Sequence, residues 1–316
     1  MKTRIGALLA LGFALPVAAQ YPDRPVTLLN GYPAGGNVDI VSRQLVEGMK
    51  ARFPRGLPIV YKPGAAGAVA VTELTRSQPD GYTIILTPHS ALVIAAQVQD
   101  LAYKTPDDYE PYANVVSYYP MLAVRTESPY KTLQDLVAAA KADPGKISVG
   151  SPGEGTSSHL NLEELMIKAG VKMTHTPFKG WGQSSPALLG GHIDALVAQP
   201  AELKGQVDGK RMRVLAAFQP TRHPVFPDVP TAKEAGYDVA NGVWFLLMAP
   251  KGTPAAVVKY LHDAAREAVE DPKFVKAMAE RGIDADYRPG SALRADLWRE
   301  YKAHTDILRR IGMLKK

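Results

Sequence analysis

Three features of the 316-residue chain predict an α/β protein of two lobes with a cleft between them. Short β-type apolar runs alternate with single helical patterns, the arrangement of crossover connections and mostly parallel sheets covered by helices on both faces. Two proline-flanked stretches, Pro111 to Pro129 and Phe218 to Thr231, interrupt that alternation and mark passages between domains. A chain that crosses twice puts its two ends in one domain and its middle in the other. The expected boundaries are a removable leader at 1–19, a first domain of 20–122 plus 226–316, and a second domain of 123–225.

The leader, MKTRIGALLALGFALPVAAQ, has a basic start, an apolar stretch from Ile5 to Leu15, and small residues at Val17, Ala18 and Ala19. This is the layout of a secretory signal peptide cut after Ala19, and its apolar run is too short to span a bilayer. After it, the β-type runs VTLLN, PIVYK and YTIILT fall in the first domain. PMLAVR, KISVGS, KMTHTPF, IDALVAQ and MRVLAAF follow, and VWFLLMAP returns. Val38, Val41, Leu45 and Met49 recur at helical spacing, and TLQDLVAAAKAD and SHLNLEELMIKAG are further helices. From Pro254 the chain reads as nearly all helical, with Val257, Leu261, Ala265 and Val269 forming an apolar face against the first lobe.

Composition excludes several function classes. A hydrophobic content of 46% suits a packed protein, and the formal net charge of +6 includes Lys2 and Arg4 of the leader. No basic cluster with interleaved aromatics appears, so nucleic acid is not an expected partner. The absence of cysteine removes disulfides, thiolate metal sites and cysteine nucleophiles, and the seven histidines show no paired spacing for a metal. Neither GxGxxG nor GxxxxGK[ST] occurs, so no nucleotide cofactor is expected.

Three loops carry the candidate chemistry. GYPAGGNVDI, Gly31 to Ile40, links a strand to a helix and presents unpaired N–H groups; Gly35 and Gly36 permit close backbone approach. Gly36 or Asn37 can cap the helix, and Asp39 near its third position braces it as a structural cap. On spacing alone an ordinary strand-to-helix turn fits as well as an anion site. VGSPGEGTSSHLNLEELM repeats the arrangement with Thr156, Ser157, Ser158 and His159 at the junction, more donors than one cap requires. Facing each other across the cleft, two such loops would hold a small carboxylate. Ser157 and His159 also admit a serine-hydrolase reading, but GxSxG is missing and no carboxylate is marked to orient the histidine. The third loop, HTPFKGWGQSSP, offers Phe178, Lys179 and Trp181 from a single turn, either as cleft residues or as core aromatics beside a solvated lysine.

With YPDRPVTLL, PAGGNVDIVSR, QPDGYTIIL, DDYEP, VGSPGEGTSSH, HTPFKGWGQSSPALLGGHIDA, FPDVPTAKEAG and Trp244 before APKGTP, the sequence resembles the solute-binding proteins of the tripartite tricarboxylate transporter family, the Bug proteins. The matching segments run through nearly the whole mature chain. The resemblance implies a type II-like periplasmic binding protein fold of two Rossmann-like domains, exported to the periplasm. It implies a monomeric, non-enzymatic receptor that closes on a small carboxylate (a di- or tricarboxylate, or an aromatic carboxylate), uses no cofactor, and hands its ligand to membrane permease subunits; an extracytoplasmic sensor would share the same fold. It places ligand contacts at Tyr32, Pro33, Ala34, Gly35 and Gly36, at Thr156, Ser157, Ser158 and His159, and at Ser90. Family members commonly carry proline and phenylalanine where this chain has Gly31 and Tyr32. These departures, with Tyr118 and Tyr119 at the first crossing, lead us to expect an aromatic or otherwise flat carboxylate.

Overall fold

A computed structural model describes residues 21–315, so the expected signal peptide lies outside the described residues. The strands are β1 (Thr27–Asn30), β2 (Ile59–Tyr61), β3 (Thr83–Pro88), β4 (Tyr109–Tyr118), β5 (Met121–Arg125), β6 (Ser148–Ser151), β7 (Thr174–Pro177), β8 (Ala195–Ala198), β9 (Met212–Ala217), β10 (Val243–Pro250) and β11 (Asp284–Pro289). They form two sheets, ordered β11-β4-β10-β3-β1-β2 and β7-β6-β8-β5-β9. Alternate residues of the first sheet enter separate cores. Leu28, Ile84, Phe245 and Leu247 meet helices Asn37–Met49 and Ala255–Glu270, while Leu29, Ile85, Leu246 and Met248 meet helices Ala68–Arg76 and Gly290–Arg310. Burial on both faces explains why these strands read as unbroken apolar runs.

The sheets are mixed rather than mostly parallel. β1 is parallel to β2 and β3, and β6 to β7 and β8, but β10 is antiparallel to β3 and β4, and β5 to β8 and β9. The reversed strands are the ones by which the chain enters each lobe from the hinge, so they run against those that lead toward it. At the far edge, β11 is antiparallel to β4.

Two expectations about the crossings need correction. The first crossing is confined to Tyr119–Pro120, because β4 continues through Tyr118 and β5 starts at Met121. The second falls later than 226. Phe226, Ala232 and Val239 are buried in the second lobe, Ala217 bridges to Thr231, and the chain reaches the first sheet only at Val243. At that return, Asn161 pins the backbone, donating to the Asn241 carbonyl at 2.9 Å and accepting from the Asn241 N–H at 3.0 Å. The C-terminal part is helical except for β11. Among the described residues no helix is long and apolar enough to cross a membrane.

Candidate functional site

The first loop is fixed by its own polar groups. Asn30 Oδ1 accepts from the Tyr32 N–H at 2.9 Å, turning the chain as it leaves β1. Gly31 passes so near the loop at Gly67 that a Cβ would fall 2.7 Å from the Gly67 Cα. Only glycine admits that approach. Tyr32 donates its hydroxyl to the Ala66 carbonyl at 3.0 Å, tying the same two loops together. Gly35 has φ +86, and its N–H donates to Asp39 Oδ2 at 2.8 Å. Asp39 also accepts from the Tyr61 hydroxyl at 2.6 Å and Arg43 Nε at 2.9 Å. Burial pushes its carboxyl upward, but the hydrogen bonds from Tyr61, Gly35 and Arg43 outweigh that and hold it below the usual range.

In the second loop Thr156 caps helix Ser157–Ala169, its Oγ1 accepting from the His159 N–H at 3.3 Å and donating to the Gly153 carbonyl at 2.8 Å. Ser157 Oγ is buried without a hydrogen-bond partner, and Ser158 Oγ accepts from Gln199 Nε2 at 3.3 Å. The His159 ring is engaged elsewhere. Nδ1 accepts from the Gly155 N–H at 3.3 Å, Nε2 lies 3.3 Å from Glu163, and the ring stacks on His175 at 3.7 Å.

These loops meet at a cavity of about 210 Å³ between the lobes. Tyr32, Pro33, Ala34, Gly36, Ser90, Thr156, Ser157, Ser158, Lys179 and Trp181 line it; Gly35, His159 and Phe178 do not. Gly35 acts on the loop's shape through its positive φ, and His159 packs within its own lobe. Phe178 covers Gly150, where a Cβ would lie 3.1 Å from its ring, and borders a neighbouring pocket beneath Tyr32.

Of the two tyrosines marked at the first crossing, Tyr118 lines the cavity and Tyr119 borders a separate pocket. Sequence reasoning missed part of the lining: Asn37, Gln183, Gln199 and Glu202 also face the cavity. Helices Asn37–Met49, Ser157–Ala169, Trp181–Leu189 and Pro200–Asp208 all begin at its wall, so four sets of N-terminal N–H groups and four positive dipole ends converge there. The side-chain amide of Asn37, the Ser157 hydroxyl and Gln199 Oε1 are buried and have no hydrogen-bond partner among the described residues. Glu202 spans the lobes, Oε1 accepting from the Asn37 N–H at 3.3 Å and Oε2 from the Gln199 N–H at 3.2 Å. Burial pushes its carboxyl up to about 7, against the lowering effect of those two hydrogen bonds. A signal for Glu202 was present in Gln-Pro-Ala-Glu: proline at the first helical position and an acidic residue two positions on, at the end of a strand.

A family model described as tripartite tricarboxylate transporter family receptor matches residues 41–312. The UPF0065 protein in the gbd 5′ region of Cupriavidus necator is 35% identical over 98% of this chain and 95% of its own length. The periplasmic binding protein BugD superposes with a TM-score of 0.88 at 29% identity, over 94% of this chain and 100% of its own. MatC from Rhodopseudomonas palustris, solved with bound malate, gives 0.86 at 27% identity, over 91% and 100%.

Proposed function

The chain belongs to the tripartite tricarboxylate transporter receptor family, and on that premise we propose that it captures a small carboxylate between its lobes and delivers it to the permease subunits of a tripartite transporter. It does so as a monomer in the periplasm, after loss of the leader at 1–19. The observation that carries this reading is the set of buried polar groups of Asn37, Ser157 and Gln199 that have no partner among the described residues, set among four helix N-termini around one cleft. Buried polar groups without partners are costly; an anion accepting from the Asn37 amide, the Ser157 hydroxyl and free N–H groups would satisfy the donors among them, while Gln199 Oε1, an acceptor, would take a hydroxyl or N–H of the ligand. MatC, the relative with bound malate, supports a carboxylate as the occupant.

The cavity lies below the roughly 300 Å³ at which drug-sized pockets begin, which favours a small acid. Contacts from both lobes then stabilise the closed arrangement over an open one, coupling capture to a shape that a permease can distinguish. No catalytic step is assigned. His159 is committed to Gly155, Glu163 and His175, and Ser157 has no base beside it.

The test is a thermal-shift panel of mono-, di- and tricarboxylates and amino acids with the wild type and Ser157→Ala. A ligand at about a hundred times its dissociation constant adds roughly 2.7 kcal/mol of stability. The variant should bind at least about tenfold more weakly while the empty protein melts unchanged, since Ser157 Oγ has no internal bond to lose. No shift with any acid, or full affinity in the variant, would overturn the proposal.

A further inference from the structure

Among the described residues, Glu202 is the one acidic side chain lining a cavity read above as holding an anion, and Lys179 is the one basic side chain. The glutamate comes from the second lobe and reaches across to the helix that begins at Asn37. Each of its oxygens accepts a single backbone N–H, at 3.3 and 3.2 Å. A carboxylate offers about four acceptor sites, so it retains capacity for further donors from the cavity. Tyr32, Val38, Tyr118, Trp181 and Val243 give the cavity an apolar and phenolic share of its wall.

We infer, on the carboxylate reading above, that the cleft selects a monocarboxylic acid with an apolar body and a hydroxyl or N–H group donated to Glu202, and that Glu202 rejects dicarboxylates. The ligand carboxylate takes the unpartnered donors of Asn37 and Ser157, and its body lies against the tyrosines and Trp181. Its second polar group meets an acceptor rather than a donor. A second carboxylate would share about 210 Å³ with Glu202, with one lysine to offset three negative charges. Repulsion between like charges a few ångströms apart in a partly desolvated cleft supports a discrimination of about a hundredfold. Protonation of Glu202 relieves part of this near neutral pH, so the selectivity is sharpest where the carboxyl is ionised.

Titration calorimetry at about pH 8.5 with benzoate, 4-hydroxybenzoate, malate and adipate, on wild type and Glu202→Gln, tests this. The wild type should bind 4-hydroxybenzoate at least about tenfold tighter than benzoate or either diacid. Glu202→Gln should shrink the monoacid-to-diacid ratio by at least about tenfold. General damage to the fold would weaken all four acids together and leave that ratio unmoved. A wild type that prefers a diacid, or a ratio unchanged in the variant, overturns the role of Glu202 while leaving carboxylate capture intact. No heat with any acid on either protein overturns both.

Discussion

Replacing Asp39 with alanine should cost about 3 kcal/mol of stability. Its side chain is 5% exposed and accepts from Tyr61, the Gly35 N–H and Arg43. Hydrogen bonds to a charged group contribute about 1.5–3 kcal/mol each, but Arg43 is 60% exposed and recovers most of its share from water. Two bonds then remain, from Tyr61 and Gly35, together with a carboxylate at a helix N-terminus worth roughly 0.5 kcal/mol. Allowing for partial solvation of Tyr61 brings the sum to about 3 kcal/mol. The assay is urea unfolding of wild type, Asp39→Ala and Tyr61→Phe with the double variant, at several pH values. The Asp39 carboxyl is held below its ordinary value of 3.8 in the folded state, so its contribution is present above about pH 4 and lost as pH falls through the folded value. The penalty for Asp39→Ala should therefore shrink toward about pH 3, and the double-variant cycle should give a coupling of about 1 kcal/mol. A penalty below about 0.5 kcal/mol at neutral pH, or one independent of pH, would refute the bracing role.

Other perturbations follow from the same geometry. Because burial raises the Glu202 carboxyl from 4.5 to about 7, the folded state holds this proton longer and the group's contribution falls as pH rises through that window. Urea unfolding should show Glu202→Gln gaining about 2 kcal/mol relative to wild type between about pH 5 and pH 8; parallel profiles would contradict this. Gly31→Ala puts a methyl 2.7 Å from the Gly67 Cα and should cost about 2 kcal/mol in thermal unfolding, with an unchanged melting temperature as the contrary result. Asn161→Ala removes three bonds to Asn241 at the second crossing, two of them to its backbone, and a fourth to the Ser157 carbonyl. It should lower stability by about 2 kcal/mol and speed amide exchange around residues 240–242; exchange no faster than wild type would show that the hinge is held by other contacts.

What could be read from the sequence was local. Glycine turns and hydroxyl caps announce helix starts within a few residues, so the loops at Tyr32–Gly36 and Thr156–Ser158 were legible and do line the cavity. β4 was not, because Pro111 argues against a central strand; it is tolerated where the register to β10 shifts between Leu247 and Met248. β11, Asp-Ala-Asp-Tyr-Arg-Pro, is a polar edge strand whose pairing with β4 is a long-range choice. The contact of Glu202 with Asn37 depends on the meeting of the second lobe with the first loop, which its local capping signal does not report.

Direction is where local reading can be carried further. Successive residues of a helix are about 100° apart, so positions two apart diverge by roughly 200°. Once Ser157 and His159 are placed on the same first helical turn, they cannot present hydroxyl and imidazole to one another across the cleft. The structure has the serine at the cavity and the histidine against His175. The same rotation argues for Glu202. Gln199 caps its helix with the chain still extended, and the third helical residue bends back over that cap, so a strand end that points Gln199 at a cleft brings the glutamate with it. An acid at that position therefore faces the cavity as well as serving the helix, and its charge bears on any anion that enters.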